Sequence, residues 1–261
     1  MKLNMEKMRA KLEASTTNKK AGSGNENTWK PDAGNTDIRI VPTKDGDPFK
    51  EFSFHYNLGE GNQGILCPKR NFNENCPICA FASSQWQEGT DESKTQAKKM
   101  FPQQRFFSPV LVRGKEEMGV KIWGYGKKAY EKLLSLVLNP EYGDITDVDE
   151  GLDLTLTYTK PTKKGAYPTT DLNPKRKNSP LAKTKGEIKT LLDNVPDINS
   201  LFLKVSTVEV KEMLDAFLDS PEDSRKDESE KYGNSSDEVK NLDAAIEEMS
   251  SELDKEVEKH F

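Results

Sequence analysis

The sequence predicts a mainly β protein with some helix: a small barrel of the OB type, an embedded cysteine-rich subdomain, a basic N-terminal segment and an acidic C-terminal tail. Three observations predict it. Five or six segments alternate apolar and polar residues with a period of two, and only one or two amphipathic helices separate them; a sandwich suits this pattern less well. All three cysteines fall within CPKRNFNENCPIC, residues 67–79, and His55 lies twelve residues upstream. The charge is unevenly distributed along the chain.

Residues 1–14 read as a short amphipathic helix, with Leu3, Met8 and Leu12 on one stripe and Lys2, Lys7, Arg9 and Lys11 supplying positive charge. The polar stretch STTNKKAGSGNENT tethers it; a frayed terminus is the alternative. Strands are expected at 37–43 and 49–56 around a KDGD turn, at 105–113 and 119–126 around GKEE, at 152–160, and last at 201–207. Helices are expected at 127–138, stopped by Pro140, and at 207–218, stopped by Pro221. Residues 158–180 read as a basic loop, and 219–236 as disordered. From Val239 to Val257 apolar residues recur at helical spacing, giving an acidic amphipathic helix suited to a protein partner.

The domains expected are therefore 1–22, a core at 23–218 with a subdomain around 55–82, and a tail at 219–261. The tail holds 15 acidic and 6 basic residues of the chain's 44 and 39, so the net charge of -5 divides into -9 for the tail and +4 for the rest. Such a tail can compete with an anionic ligand for a cationic groove, serve as a docking handle, or simply aid solubility. With 33% hydrophobic and 32% charged residues, part of the chain is expected to be tail or loop. No apolar run is long enough to span a membrane, and the first fifteen residues lack an apolar signal core, so a cytosolic protein is expected.

In a reducing compartment an odd, clustered set of cysteines argues for metal. Cys76 and Cys79 form a CPIC knuckle, and Cys67 and His55 would complete a tetrahedral Cys₃His site for one structural Zn²⁺. His260 is a weaker fourth ligand, and three buried free thiols are the bland alternative. A catalytic zinc is disfavoured. Nucleobase deaminases need H-x-E and P-C-x-x-C, whereas His55 is followed by Tyr56 and Asn57, and Asn75 precedes Cys76. No phosphate-binding loop, nucleophile elbow or HExxH occurs, and two histidines leave little for acid–base work. No enzyme activity is expected.

Aromatic and basic residues interleave over Arg105, Phe106, Phe107, Arg113, Lys121, Trp123, Tyr125, Lys127 and Lys128. By period two, Lys121, Trp123 and Tyr125 share a strand face, one expected to stack unpaired bases while cations follow phosphates. Lys163, Lys164 and Tyr167 extend this set into the basic loop. An ordinary amphipathic sheet with a solvated loop is the alternative.

These pieces together resemble the single-stranded DNA-binding, helix-destabilising proteins of T4-type phages. The supporting segments are NTWKPDAGNTDIRIVPTKDGDPF, the ordered His55–Cys67–Cys76–Cys79 set, RFFSPVLV and VKIWGYGKKAYEKL. The resemblance implies an OB-fold core with an embedded zinc subdomain, and cooperative, sequence-independent binding of single-stranded DNA in replication, recombination and repair. It implies DNA-facing Phe106, Phe107, Trp123, Tyr125 and Tyr167, beside the basic pair Lys127 and Lys128. It further implies self-association with neighbouring protomers through the basic N-terminal segment, recruitment of replication and recombination proteins by the tail, and a place in the cytoplasm of an infected bacterial host. A zinc-containing protein-interaction adaptor of the replication or transcription machinery is the alternative.

Overall fold

A computed structural model describes residues 26–56, 58, 64–161 and 168–219. The expected N-terminal helix with Lys2, Lys7, Arg9 and Lys11, the loop residues Lys163, Lys164 and Tyr167, and the tail beyond 219 lie outside these residues.

Eight strands form one mixed sheet among the described residues: β1 (Thr28–Trp29), β2 (Gly34–Ile40), β3 (Lys50–His55), β4 (Ile65–Leu66), β5 (Gln103–Val112), β6 (Lys121–Tyr125), β7 (Leu152–Thr159) and β8 (Thr169–Asn178). The order is β1-β6-β5-β2-β7-β8, and β4 joins through β3. All pairs are antiparallel except β1 with β6. The ten-residue β5 is long enough to serve two partners along one edge. Its first half pairs β3 from Gln103 to Phe107, and its end pairs β2 from Val110 to Val112. Pro109, which has no N–H to give, stands where the partner changes. Among the described residues six helices complete an α+β architecture: α1 (Pro68–Phe72), α2 (Pro77–Glu88), α3 (Asp91–Met100), α4 (Lys127–Val137), α5 (Lys185–Asp193) and α6 (Thr207–Asp219). None of them is long and apolar enough to cross a membrane.

The two sides of the sheet are covered differently. On one, Ile38, Ile40, Phe106, Val110, Val112, Trp123, Tyr125 and the Leu152–Leu154–Leu156 row of β7 pack beneath Ala129, Leu133 and Leu136 of α4. On the other, Leu111, Val41 and Val120 meet Ile188 of α5. A third cluster joins Cys67, Cys76, Ile78, Cys79, Ala82, Ala97 and Met100 to Val210 and Leu214 of α6. This cysteine-rich unit runs from the end of β3 through α3, and α6 closes over it.

Two expectations are corrected. Residues 201–207 are not a strand: a 3₁₀ turn (Ile198–Leu201) leads into an extended stretch that joins no ladder among the described residues. Its alternating apolar residues reach different places, since Leu203 is exposed while Val205 packs on the cysteine-rich cluster. Conversely, the segment expected to be a loop at 158–180 contains β8, whose register with β7 runs from Thr159↔Thr169 to Leu152↔Asn178. Only Leu172 of β8 is buried, and its Pro174 is tolerated because β8 is an edge strand.

One carboxylate ties this sheet to its loops. Arg39 is fully buried; its Nε donates to Asp153 Oδ1 at 2.8 Å, Nη1 to the Asp147 carbonyl at 3.1 Å and Nη2 to Ser179 Oγ at 2.7 Å. Arg113 donates to the same Asp153 Oδ1 at 2.9 Å and to the Leu181 carbonyl at 2.8 Å. Residue 151 must be glycine here, because a Cβ would stand 2.2 Å from the Asp147 carbonyl oxygen and 2.4 Å from Arg39 Nη1. Asp153→Ala strands a buried guanidinium and is expected to lower unfolding free energy by about 3 kcal/mol in urea titrations. Lys175→Ala removes only the half-exposed pair with Asp37 and is expected to cost less than about 1 kcal/mol.

Candidate metal centre and nucleic-acid interface

His55 is the last residue of β3, so its side chain alternates with Phe54 and shares the side of Ser53. The chain returns through β4, and Cys67 caps α1, with Arg70 N–H donating to its Sγ at 3.4 Å. Asn71 stitches this turn to β3: Ser53 N–H donates to its Oδ1 at 3.0 Å, and its Nδ2 donates to the Ser53 carbonyl at 2.7 Å and the Cys67 carbonyl at 2.9 Å. Cys76 stands at the N-cap of α2 and Cys79 in its first turn, with Pro77 opening the helix. The positive end of α2 favours thiolates at both positions.

All four side chains are buried, and their ligand atoms lie within 4.8 Å of one another. Cys76 Sγ is 3.3 Å and Cys79 Sγ 3.6 Å from His55 Nε2, and Cys67 Sγ is 3.5 Å from Cys79 Sγ. A zinc tetrahedron with bonds of about 2.3 Å to sulfur and about 2.0 Å to nitrogen has edges of roughly 3.8 Å and 3.5 Å. The four atoms therefore fit one such ion with little movement. His55 Nδ1 donates to the Met100 carbonyl at 2.8 Å, which leaves the Nε2 lone pair facing the sulfurs. The charges point the same way. Burial disfavours a charged imidazole, yet Cys67 and Cys76 outweigh it and lift His55 to about 9, so that without a cation a proton on Nε2 faces the sulfurs, in the place a metal ion would take. Hydrogen bonds with Cys67 and Cys79 lower the Cys76 thiol, while those with Cys67 and Cys76 raise Cys79. The cluster gathers negative charge that a shared cation would neutralise. His55, Cys67, Cys76 and Cys79 could hold a metal ion, and the set is compatible with structural zinc.

The aromatic residues divide differently from the sequence expectation. Lys121, Trp123 and Tyr125 do share a face of β6, but it is the face beneath α4. Trp123 and Tyr125 are 1% and 4% exposed and Phe106 is 2% exposed. Phe106 stacks on Tyr130 at 3.9 Å and 10°, Trp123 lies 4.3 Å from Tyr125, and the Tyr125 hydroxyl pairs with Ser108 at 2.6 Å. As placed, these three rings fill the core rather than offering an open stacking surface. The space exists because small Ser108 stands opposite Trp123 in the ladder. Lys121, at the start of the strand, reaches the Glu26 carbonyl at 2.8 Å. Lys127 and Lys128 occupy the first turn of α4, adding charge to its positive end; Lys127 lies 4.0 Å from Glu131.

Phe107 points to the opposite side from Phe106 and is half-buried. There it meets Phe52 at 5.9 Å, Phe54 at 6.1 Å and Phe202 at 4.7 Å. Phe202 in turn sits 5.2 Å from Phe52 and 5.0 Å from Phe54, and Tyr56 lies 6.0 Å from Phe54. Arg105 is the cross-strand partner of Phe52 and projects from the same face. Sequence reasoning missed Phe52, Phe54 and Phe202 in this group. The first two were within reach of it: if His55 turns toward the cysteines, period two sends Phe52 and Phe54 the other way.

Residues 32–219 match the family described as gp32 DNA binding protein like. The chain belongs to this family. Its members are DNA-binding proteins rather than enzymes, and membership supports a single-stranded DNA-binding role. The match spans the sheet from β2 onward, the cysteine–histidine cluster and α6. No curated protein matches the chain.

Metal removal tests the cluster. Chelation of the purified protein, or Cys76→Ser, is expected to abolish the bound metal measured by atomic absorption and to open residues 64–101 to limited proteolysis. The β2–β7–β8 half, whose core is separate, should stay resistant.

Proposed function

We propose that the chain is a phage-encoded, non-enzymatic protein that binds single-stranded DNA cooperatively and without regard to sequence, coating exposed strands during replication, recombination and repair. The family match over 32–219 carries this reading. The net +4 outside the acidic tail, the cations at Arg105, Lys121, Lys127 and Lys128, and the half-buried rings Phe52, Phe107 and Phe202 support it. Binding only unpaired strands draws the duplex equilibrium toward the melted state by mass action. Cations neutralise phosphates and rings stack on bases; neither interaction requires a particular base.

In this reading the core is an OB fold, Zn²⁺ is the resident ion of the cysteine–histidine cluster, and its role is structural. By fixing His55 it fixes the end of β3, and with it the faces that Ser53 and Phe54 present. Segment 1–22 docks on neighbouring protomers through Lys2, Lys7, Arg9 and Lys11, Lys163, Lys164 and Tyr167 extend the DNA-binding surface, and the tail recruits replication and recombination proteins. The protein acts in the cytoplasm of an infected bacterium.

Fluorescence anisotropy with labelled oligo-dT and a duplex of equal length is the test. The single strand is expected to bind far more tightly, with log affinity falling linearly in log salt by about 0.7 per phosphate neutralised. Equal affinity for duplex would overturn the reading. Deleting residues 220–261 is expected to raise affinity at low salt, a gain that shrinks as salt screens the tail.

A further inference from the structure

We propose that the outer aromatic face of Phe52 and Phe107, laid over the buried Phe54 ring, is a nucleobase-stacking subsite, and that Phe202 occupies it in place of a base. The proposal rests on the single-stranded DNA-binding reading above and names where a base would sit.

The three platform rings come from adjacent strands whose register fixes them, β3 for Phe52 and Phe54 and β5 for Phe107. The neighbouring strand leaves room for the Phe107 ring to lie across it. A Cβ at Gly124, its cross-strand partner, would stand 2.8 Å from Phe107 Cε1. Gly124 is also the exposed position of an otherwise covered β6. Arg105 emerges beside Phe52, so a cation stands at the margin of the platform where a phosphate or the edge of a stacked base would lie.

The fourth ring differs in origin. Phe202 comes from the strap between α5 and α6, where residues 202–206 belong to no helix or ladder. It touches all three platform rings, with centroids 4.7–5.2 Å away. The strap is held at points to either side. Ile198 is buried, Lys204 pairs with Glu74 and lies over the Phe72 ring at 4.7 Å, and Thr207 Oγ1 donates to the Asn75 carbonyl at 3.3 Å. The next residue, Leu203, is 67% exposed. Phe202 can therefore swing out without breaking a strand pairing, because its neighbours carry the anchoring. An unpaired base is planar, has a π-face and offers the platform a partner of similar kind. Exchanging one ring for another keeps the platform covered in both states and removes a base from water only in the bound one.

The test uses the full-length, metal-loaded protein with two probes: labelled oligo-dT, and an oligonucleotide of equal length made of abasic sites, which keeps the phosphates and lacks the bases. Phe202→Ala is expected to bind oligo-dT about fivefold more tightly, because the resident ring no longer competes. Phe107→Leu, which keeps an apolar side chain without a π-face, is expected to lose about tenfold on oligo-dT. Neither should change affinity for the abasic strand by more than about twofold. Hydrogen exchange on the unaltered protein reads the same event independently of folding in the variants: amides of 198–206 should exchange faster when oligo-dT is bound. Weaker oligo-dT binding by Phe202→Ala, or slower exchange across 198–206, would make Phe202 a wall of the site and overturn the proposal. Wild-type preference for oligo-dT with both variants unchanged would overturn the subsite alone. Loss of any single-strand preference in the wild type would overturn the DNA-binding reading, and the subsite with it.

Discussion

The side-chain alternation of β3 is the constraint on which the rest depends. His55 and Ser53 must face the cysteine-bearing turn, because one contributes a ligand atom and the other is hydrogen-bonded at both backbone groups to Asn71. A strand has only two faces, so Phe52 and Phe54 are sent to the other. A slip of one residue would bring a phenyl ring to the cysteine–histidine cluster and an imidazole to the aromatic face. Few registers are penalised on both sides at once, and this one is. The cysteine–histidine cluster and the aromatic face are thus two outcomes of one six-residue strand.

The same two-sidedness governs β5 and β6. In the pair Phe106–Phe107 one ring enters the core under α4 and the next emerges on the outer face. The core ring meets Tyr130 and Tyr125, and the outer ring meets Phe52, Phe54 and Phe202. A sheet buried on one face alone would have left Phe107 and Pro109 in water. Here the outer side is covered in sections, by α5 over Leu111 and Val120, and by the strap over the phenylalanines. Of these covers the strap is the one removed at least cost, since helices are held by many coupled contacts and a strap by a few.

How much of this could be read beforehand follows from where the information resides. The gathering of His55, Cys67, Cys76 and Cys79 was readable because ligand chemistry admits few residue types, and the knuckle spacing is local. Five of the expected strands appear within a few residues of their places, since each carries enough alternating apolar residues to mark its period. β8 was hidden because an edge strand needs only one anchor, Leu172, and can otherwise be Thr, Asn, Lys and Arg. Helices α2 and α3 escaped notice because their core is supplied largely by the cysteines and by α6, from far along the chain. The face of Trp123 was misjudged for a related reason. Period two says which residues share a side, but the side that is interior is decided by α4, and Lys121 at the strand's start suggested the wrong one. Phe202 had no local signal at all.

The buried ion group around Arg39 makes the complementary point about polarity. A chain with so many charges keeps a guanidinium fully enclosed, and does so by giving it three carbonyl or hydroxyl acceptors from loops besides Asp153. The loops 147–151 and 179–181 are thereby fixed to β2, β5 and β7 by hydrogen bonds whose loss leaves a charge stranded. The outer face is built on the opposite plan: half-buried rings, a glycine floor and a strap without a ladder. Dense polar pairing is found at the Arg39 group and at the cysteine–histidine cluster, whereas the cover over the outer rings is a strap. For a member of a DNA-binding family, that division is physically sensible. The fixed parts hold the platform in shape before the ligand arrives, and the light cover keeps the cost of exposing it small.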